Sequence, residues 1–303
     1  MKLITSIQKK LRKKREAERN LRNMNEIMQY HVHHVAMQEN ALHSTQSLIS
    51  DIQRHISPIV VSLTTYSVRI HLVHLVIESI SQQTIKPNKI VLWLDENEFS
   101  LSTLPEVLKR QMERGLDIKF CSNYKSYKKL YPSISEYPNH DIITLDDDFI
   151  YPHDMIEQLV SAAKAHPTSI IGQRAHKIKM NNGAIAPYKE WDKEINDNHQ
   201  ADLNFITTGG GTLFPYSAAV ELFSEQKDFL DICPNADDVW VNFMARAKKI
   251  NRIKVNDPRP FKTRFIHIPD DTSIGLNKSN VSHNGNDQQI MSFISNVVKG
   301  ELS

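Results

Sequence analysis

Four short apolar runs, alternating with stretches of helical periodicity, limit what this chain can fold into more than any other feature. They are PIVVSLTTY (58–66), KIVLWLD (89–95), DIKFC (117–121) and DIITLDDD (141–148), and three of them end on hydroxyl or acidic side chains. Such β-branched runs read as buried strands. Between the first two, Ile70, Val73, Val76, Ile77 and Ile80 recur at helical spacing before Pro87 breaks the pattern. LPEVLKRQMERG reads as a second helix closed by Gly115, and Pro152–Ala165 as a third with proline at its start. This order predicts an α/β fold with a mostly parallel sheet flanked by helices. Ligands of such sheets bind beyond the carboxyl ends of the strands, so Tyr66, Asp95 and Asp146–Asp148 are expected to converge on one crevice.

After residue 170 the alternation weakens. SIIGQRAHKI reads as a further strand, and residues 179–204 as polar loop. FITTGGGTLFP then spends three of the chain's nine glycines, Gly209, Gly210 and Gly211, in a row. Their spacing fits neither the dinucleotide fingerprint nor the P-loop. A plain turn and a close approach of backbone to a ligand both remain open. CPNADDVWVNFMARAKKI places Asp237 and Asp238 directly before an amphipathic stretch. A helix dipole by itself favours acids there.

The bulk numbers exclude several classes. With 303 residues, 40% hydrophobic and 24% charged, the chain suits one large domain with an appendage. A net charge of +2 does not suggest a nucleic-acid binder, and two cysteines, Cys121 and Cys233, give no disulfide framework. No apolar run reaches the ~18–20 residues of a membrane span, and no signal peptide is evident, which together predict a cytoplasmic protein. Residues 1–55 read as a basic helical extension and 56–303 as the main domain. Within the extension Leu21, Met28, Val35 and Leu42 recur every seven residues, but the second seam offers Met24, His31 and Gln38. The expectations for it are packing on the main domain or on a twin subunit, or peripheral contact with the inner face of a membrane. Basic residues without interleaved aromatics argue against nucleic acid. His31, His33 and His34 read as surface histidines.

Why a hydrophobic strand ends on three adjacent aspartates is the sharpest question. Each carboxylate raises the cost of ionising its neighbours, so the cluster is either solvated loop or the seat of something positive. The answer comes with a resemblance. In order, VSLTTYSVRI, ESISQQTIKPNKIVLWLD, YKKLYPSISEYPNHDIITLDDDFIYP, TTGGGTLFP and CPNADDVWVNFMA resemble the sequence blocks of GT-A glycosyltransferases, family-two-like enzymes that use nucleotide-diphosphate sugars. The resemblance covers about residues 56–255 and implies a GT-A type, Rossmann-like sheet.

Carried over position by position, it implies donor contacts from Thr64, Thr65, Tyr66, Arg69 and Asp95, with Lys128 or Lys129 toward the diphosphate. Asp146, Asp147 and Asp148 would hold the nucleotide and a Mn²⁺ or Mg²⁺ ion, with Asp148 and Asp146 as its ligands. Gly209, Gly210, Gly211 and Trp240 would line the sugar and acceptor region. Asp238, with Asp237 as the alternative, would be the base. A divalent cation relieves charge on the departing diphosphate while a carboxylate takes the acceptor proton, and one displacement inverts the anomeric centre. The implied donor is a UDP-sugar and the implied acceptor a glycan or lipid-linked hydroxyl in surface polysaccharide synthesis. His267 and His283 are late candidates for the metal, each more readily structural. Arg174 and His176 read equally as site or strand-end residues, Trp191 as core or sugar platform, and Asn286–Asp287 as a turn or cap. A metal-dependent phosphatase and a catalytically degenerate sugar-nucleotide-binding protein are the rival readings.

Overall fold

The computed structural model describes residues 2–199, 201–224, 228–269 and 285–298. The chain opens on one long helix, α1 (Lys2–His43). Next come β1 (Ile59–Thr64), α2 (Val73–Ser81), β2 (Lys89–Asp95), α3 (Glu106–Glu113), β3 (Leu116–Cys121), α4 (Tyr131–Glu136) and β4 (Asp141–Leu145). The second half adds β5 (Phe149–Ile150), α5 (Met155–Ala165), β6 (Ile170–Gly172), β7 (Ala175–Lys177), β8 (Met180–Asn181), β9 (Ala184–Ile185), β10 (Asn204–Ile206) and β11 (Gly210–Phe214). It ends with α6 (Tyr216–Leu222), α7 (Phe229–Ile232), α8 (Asp237–Ala247), β12 (Arg252–Lys254), α9 (Phe261–Arg264), β13 (Ile266–His267) and α10 (Gly285–Phe293).

Seven strands form the central sheet in the order β12-β6-β11-β4-β1-β2-β3. β1 is parallel to both β2 and β4, and β11 alone runs antiparallel, between β4 and β6. Five of the six β1 residues are buried, as expected of a strand covered on both faces. On one side Val61, Leu63, Leu92 and Ile143 pack with Val76, Ile80 and Leu108 from α2 and α3. On the other, Val60, Val91 and Ile142 pack with Phe214, Trp240 and Phe243.

The register sets the site. Leu63 stands opposite Leu145 and Thr64 opposite Trp93, so the ends of β1, β2 and β4 lie side by side. β11 arrives from the opposite direction, which brings Gly210 next to Leu145. A register shift between Gly210 and Thr212, a β-bulge, bends the strand there. The three-glycine run is divided: Gly209 lies in a turn closed by Gly210 N on Thr207 O at 3.1 Å, and Gly210 and Gly211 begin β11.

Several expectations shift in detail. The helix expected over 70–80 is α2, preceded by a 3₁₀ turn at Ser67–His71. α5 begins at Met155, after the proline rather than on it. SIIGQRAHKI divides into two strands, because β6 stays in the main sheet while β7 pairs with β10. Gly115 follows α3 with φ +108°, and an added Cβ there would sit 2.9 Å from Ile49. It thus ends the helix and admits the segment leading out of α1.

α1 docks by its C-terminal half, from Tyr30, which packs on the core, onward. Residues 12–21 and 24–29 are exposed, whereas Met37 and Ala41 are buried. Gln38 Oε1 lies 2.7 Å from His74 Nε2 of α2. Beneath it, Arg114 donates to both oxygens of the fully buried Glu78, at 2.6 and 3.1 Å.

Candidate functional site

The three aspartates that close β4 do three different things. Asp146 Oδ1 accepts from Lys129 Nζ at 2.8 Å. Asp147 turns inward: Thr65 Oγ1 donates to it at 2.5 Å and Arg69 Nη2 lies at 3.1 Å. Burial raises the Asp147 pKa even so, against the pull of Arg69 and Thr65. Asp148 is set between Arg69, 3.9 Å away, and His267 Nε2, 3.8 Å away. Burial, then Asp146 and Asp147, push its pKa up to about 7. Its Oδ1 is buried with no hydrogen-bond partner. An unsatisfied carboxylate oxygen inside an acidic cluster is a costly arrangement that a cation would relieve.

Gly209 supplies the floor. Its carbonyl accepts from Asp146 N at 3.1 Å and from Tyr151 Oη at 2.6 Å, and Tyr151 Oη also accepts from Asp146 N at 2.9 Å. A Cβ built on Gly209 would fall 1.7 Å from Asp146 Oδ2. Only glycine lets β11 pass this close to the carboxylate. Gly211 has φ +87°, and an added Cβ there would press on Met155.

The second acidic pair joins the first. Asp237 and Asp238 open α8. Asp237 Oδ2 is 3.2 Å from the same Lys129 Nζ that holds Asp146. Thr208 presents its backbone N–H to Asp238 Oδ1 at 2.7 Å, and its Oγ1 stands 2.7 Å from both Asp238 Oδ1 and Asp237 Oδ2. Burial works against the Lys129 ammonium, but Asp146, Asp237 and Asp238 outweigh it and raise its pKa. Burial likewise opposes the Asp237 carboxylate, and Lys129 and Thr208 overcome it and lower the pKa. Asp238, buried and beside the Asp237 charge, is pushed up to about 6. Two neighbouring aspartates are thereby held in different states, one a fixed counter-ion and one able to exchange a proton near neutral pH.

A cleft of about 620 Å³ opens beside this cluster, lined by Phe149, Arg174, Glu194, Phe261 and His267 and, from α1, by Glu26 and Tyr30. A larger groove of about 880 Å³ runs between the β8–β9 hairpin, α8 and α10, away from the carboxylates. Lys189, Arg246 and Asp287 line the larger groove, but of these two only the smaller cleft adjoins the acidic cluster, through His267, which lies 3.8 Å from Asp148.

Of the candidate residues, Arg174 and His267 line this cleft, and the aspartates lie beside it and not in its wall. Trp240 is fully buried, donates to Leu222 O at 3.2 Å and packs on Phe223, Phe229 and Phe293. It is a core residue, because the turn of α8 that points Asp238 at Thr208 carries position 240 round to the interior. Lys129, not Lys128, meets the acidic groups. Thr64 Oγ1 donates to Trp93 O, so with Thr65 and Arg69 it is already engaged within the protein. Asp95 is buried and its Oδ1 accepts from Asn97 N at 2.9 Å. Tyr66 lies under the Arg69 guanidinium, 5.9 Å from its ring centroid. Arg174 pairs with Glu194 at 3.1 Å on the cleft wall, and Glu194 N donates to the buried His176. Trp191 is core, with its indole N–H on Ala186 O. Asn286 and Asp287 lie within the first helical turn of α10 and not in a loop turn or cap, and Asp287 accepts from Tyr188 N at 2.7 Å, a tertiary contact. His283 lies outside the described residues. Thr208 belongs to the TTGGGT block but the sequence assigns it no bond to the acidic pair, and nothing in the sequence singles out Tyr151. A hydroxyl beside a glycine run and a tyrosine five positions past the first aspartate are signals only in hindsight.

The cluster offers few side chains for a metal. Among the described residues no group of three or more His, Cys, Asp or Glu is disposed to hold one. The orphaned Asp148 oxygen fits an ion whose remaining ligands come from a phosphorylated substrate, as hard oxygen-seeking cations often have it.

Comparison with known proteins agrees with the geometry. A model of the glycosyl transferase family 64 domain matches residues 59–301. No curated protein matches the chain. Among solved structures, the mannosyltransferase PcManGT from Pyrobaculum calidifontis, in complex with GDP-Man and Mn²⁺, superposes with a TM-score of 0.54 at 12% identity. The superposition covers 90% of this chain and 75% of that one. TarS from S. aureus, residues 1–349 in complex with UDP, gives 0.48 at 12% identity over 78% of this chain and 65% of that one.

Proposed function

Because the chain belongs to the glycosyl transferase family 64 domain family and is a glycosyltransferase of GT-A fold, we propose that its acidic cluster binds a nucleoside-diphosphate sugar through a divalent cation. The observation that carries this reading is Lys129, which ties Asp146 of the β4 end to Asp237 of α8 and so makes one site of two distant motifs. Asp148, through its unpartnered Oδ1, and Asp146 would hold Mn²⁺ or Mg²⁺. The ion would supply charge stabilisation for the departing diphosphate. Gly209 keeps the floor open for it.

Asp238 is the carboxylate assigned to the reacting centre. It is ionised above pH ~6, and Thr208 fixes its orientation while Asp237 stays paired with Lys129. Such a group removes a proton from an acceptor hydroxyl. Single displacement with Asp238 as base would invert the anomeric centre. Family membership fixes glycosyl transfer and leaves that outcome to experiment. The aromatic cleft beside Asp148, with Phe149 and Phe261 in its wall, suits a sugar acceptor, since aromatic faces cover the apolar side of a pyranose. A UDP-sugar is the donor the sequence resemblance implies; the superposed mannosyltransferase holds GDP-Man.

Thermal shift with UDP, GDP, CDP, dTDP and ADP, each with Mn²⁺ and with a chelator, tests the reading. A nucleotide at a hundred times its dissociation constant stabilises by about 2.7 kcal/mol, a readable rise. One nucleotide standing out, and only with metal, is the expected result. A flat panel with a cooperative melt would overturn it, as would metal-dependent phosphate release from sugar phosphates. With donor and acceptor identified, NMR of the product anomer decides the role of Asp238: inversion fits the base, retention removes it from that role.

A further inference from the structure

The long helix α1 has two apolar faces, and the domain covers one. At 3.6 residues per turn Tyr30, Met37 and Ala41 share a face, and Met37 and Ala41 are buried against the domain. Leu21, Met24, Met28, Val32, Val35 and Leu42 gather in an arc of roughly 80° on the opposite side. All six are exposed, from 38% at Leu42 to 69% at Val32. Singly exposed apolar residues are ordinary, but a stripe over several turns of one helix, here interrupted by Glu39 between Val35 and Leu42, marks an interaction surface.

We propose that this stripe pairs with the same stripe of a second copy of the chain, antiparallel, about a two-fold axis between residues 31 and 32. Charge selects that occupant and direction, and the spacing permits them. The heptad positions Leu21, Met28, Val35 and Leu42 map onto one another on reversal, Leu21 onto Leu42 and Met28 onto Val35, while Met24 falls opposite Glu39. Residues 9–22 carry eight Lys or Arg against two Glu. Parallel pairing would align the two basic segments, whereas antiparallel pairing sends each past the C-terminal end of the partner's helix, where the dipole is negative. Finally, residues 23–43, which bear most of the stripe, contain Glu26 and Glu39 and no Lys or Arg. A helix lying on an anionic bilayer carries its basic residues along the flanks of its apolar face, and here they are displaced toward one end.

Six side chains per copy, each burying on the order of 100 Å², put the interface near the ~1,200 Å² lower bound for specific contacts. Glu39 within the stripe and His31 beside it weaken it further. The dimer is therefore expected to be reversible. Met37 and Ala41, which the domain buries, lie on the opposite side of α1 from the stripe.

Sedimentation velocity and light scattering on the full chain across a dilution series test the proposal. Twice the chain mass is expected at high concentration, falling to one on dilution. Met28→Glu/Val35→Glu should be monomeric throughout, with an unchanged melt and nucleotide response, since both side chains are exposed; failure of the nucleotide panel alone would leave the dimer standing. Cysteine crosslinking fixes direction. His31→Cys, beside the axis, should form a disulfide-linked dimer that Leu21→Cys does not, over the background of native Cys121 and Cys233. A monomer at every concentration overturns the proposal, and crosslinking through Leu21→Cys alone overturns the antiparallel arrangement. So does a monomeric chain that floats with phosphatidylserine vesicles and loses that binding in Met28→Glu/Val35→Glu, which would make the membrane the occupant.

Discussion

Asp237 and Asp238 are adjacent and chemically identical, yet their neighbours divide them. Lys129 and Thr208 hold Asp237 low, while burial and the Asp237 charge push Asp238 up to about 6. Asp238→Asn should keep metal-dependent nucleotide stabilisation and lower kcat by roughly 10²–10⁴. In the wild type, a group that must be ionised and titrates near 6 makes the rate fall as pH drops below about 6 and level off above it; a pH–rate profile flat from 5 to 8 would remove Asp238 from proton transfer. Gly209→Ala tests the floor: its Cβ would collide with the Asp146 carboxylate, so Mn²⁺-dependent stabilisation by nucleotide should vanish while the melt stays cooperative. An unaltered response would mean that Asp146 is free to move aside. The aspartates were legible in the sequence because adjacent like charges at a strand end demand an explanation. Thr208, Tyr151 and the choice of Lys129 over Lys128 were not, because their roles arise only when β11 and α8 meet β4.

At the level of elements, the strands were the most legible part, since β-branched runs bounded by breakers need little tertiary help to be recognised. β1, β2, β3 and β4 lie where the pattern places them. Trp240 was misassigned because sequence adjacency to Asp238 says nothing about the side of a helix, and one residue is about 100° of rotation. The attachment of α1 was not legible either. It rests on Glu78 of α2, which receives Arg114 from the turn after α3, and on Arg114 Nε, which donates to Gln46 O at 2.8 Å. Arg114→Met would leave a fully buried carboxylate without its cationic partner, with Gln111 Nε2 still donating to Oε1 at 2.7 Å, a loss of about 3–5 kcal/mol. Adding Glu78→Leu should recover much of that, because a buried pair replaced on both sides by apolar groups is often neutral. Urea denaturation of the wild type, the single and the double variant decides it; a double variant no more stable than Arg114→Met would show that the carboxylate has other work beneath α1.

For the molecule as a whole, the site exists because one strand runs the wrong way. Parallel strands β1, β2 and β4 deliver Thr65, Asp95 and Asp146 to one edge of the sheet, and antiparallel β11 brings Thr208 and Gly209 to the same edge from the other half. Lys129 then closes the two halves through Asp146 and Asp237. Its pKa is raised, so its stabilisation is fully present below the ordinary lysine value and is lost only as pH climbs through the higher folded value. Across neutral pH it acts as a fixed positive charge. Lys129→Met removes that charge and leaves Asp146 and Asp237 without it, at a cost of about 3–5 kcal/mol. A divalent cation placed among the same carboxylates would restore part of the balance. The Lys129→Met protein should therefore gain more in melting temperature from Mn²⁺ alone than the wild type does, with Ca²⁺ and Mg²⁺ as comparison ions and a chelator as baseline. The result separates two views of the cluster. A larger gain in the variant means that lysine and cation compensate the same carboxylates and that the site is built around positive charge. An equal or smaller gain means that Lys129 holds the halves together without sharing in the cation's field, and the cation would then have to sit beyond Asp148, toward His267.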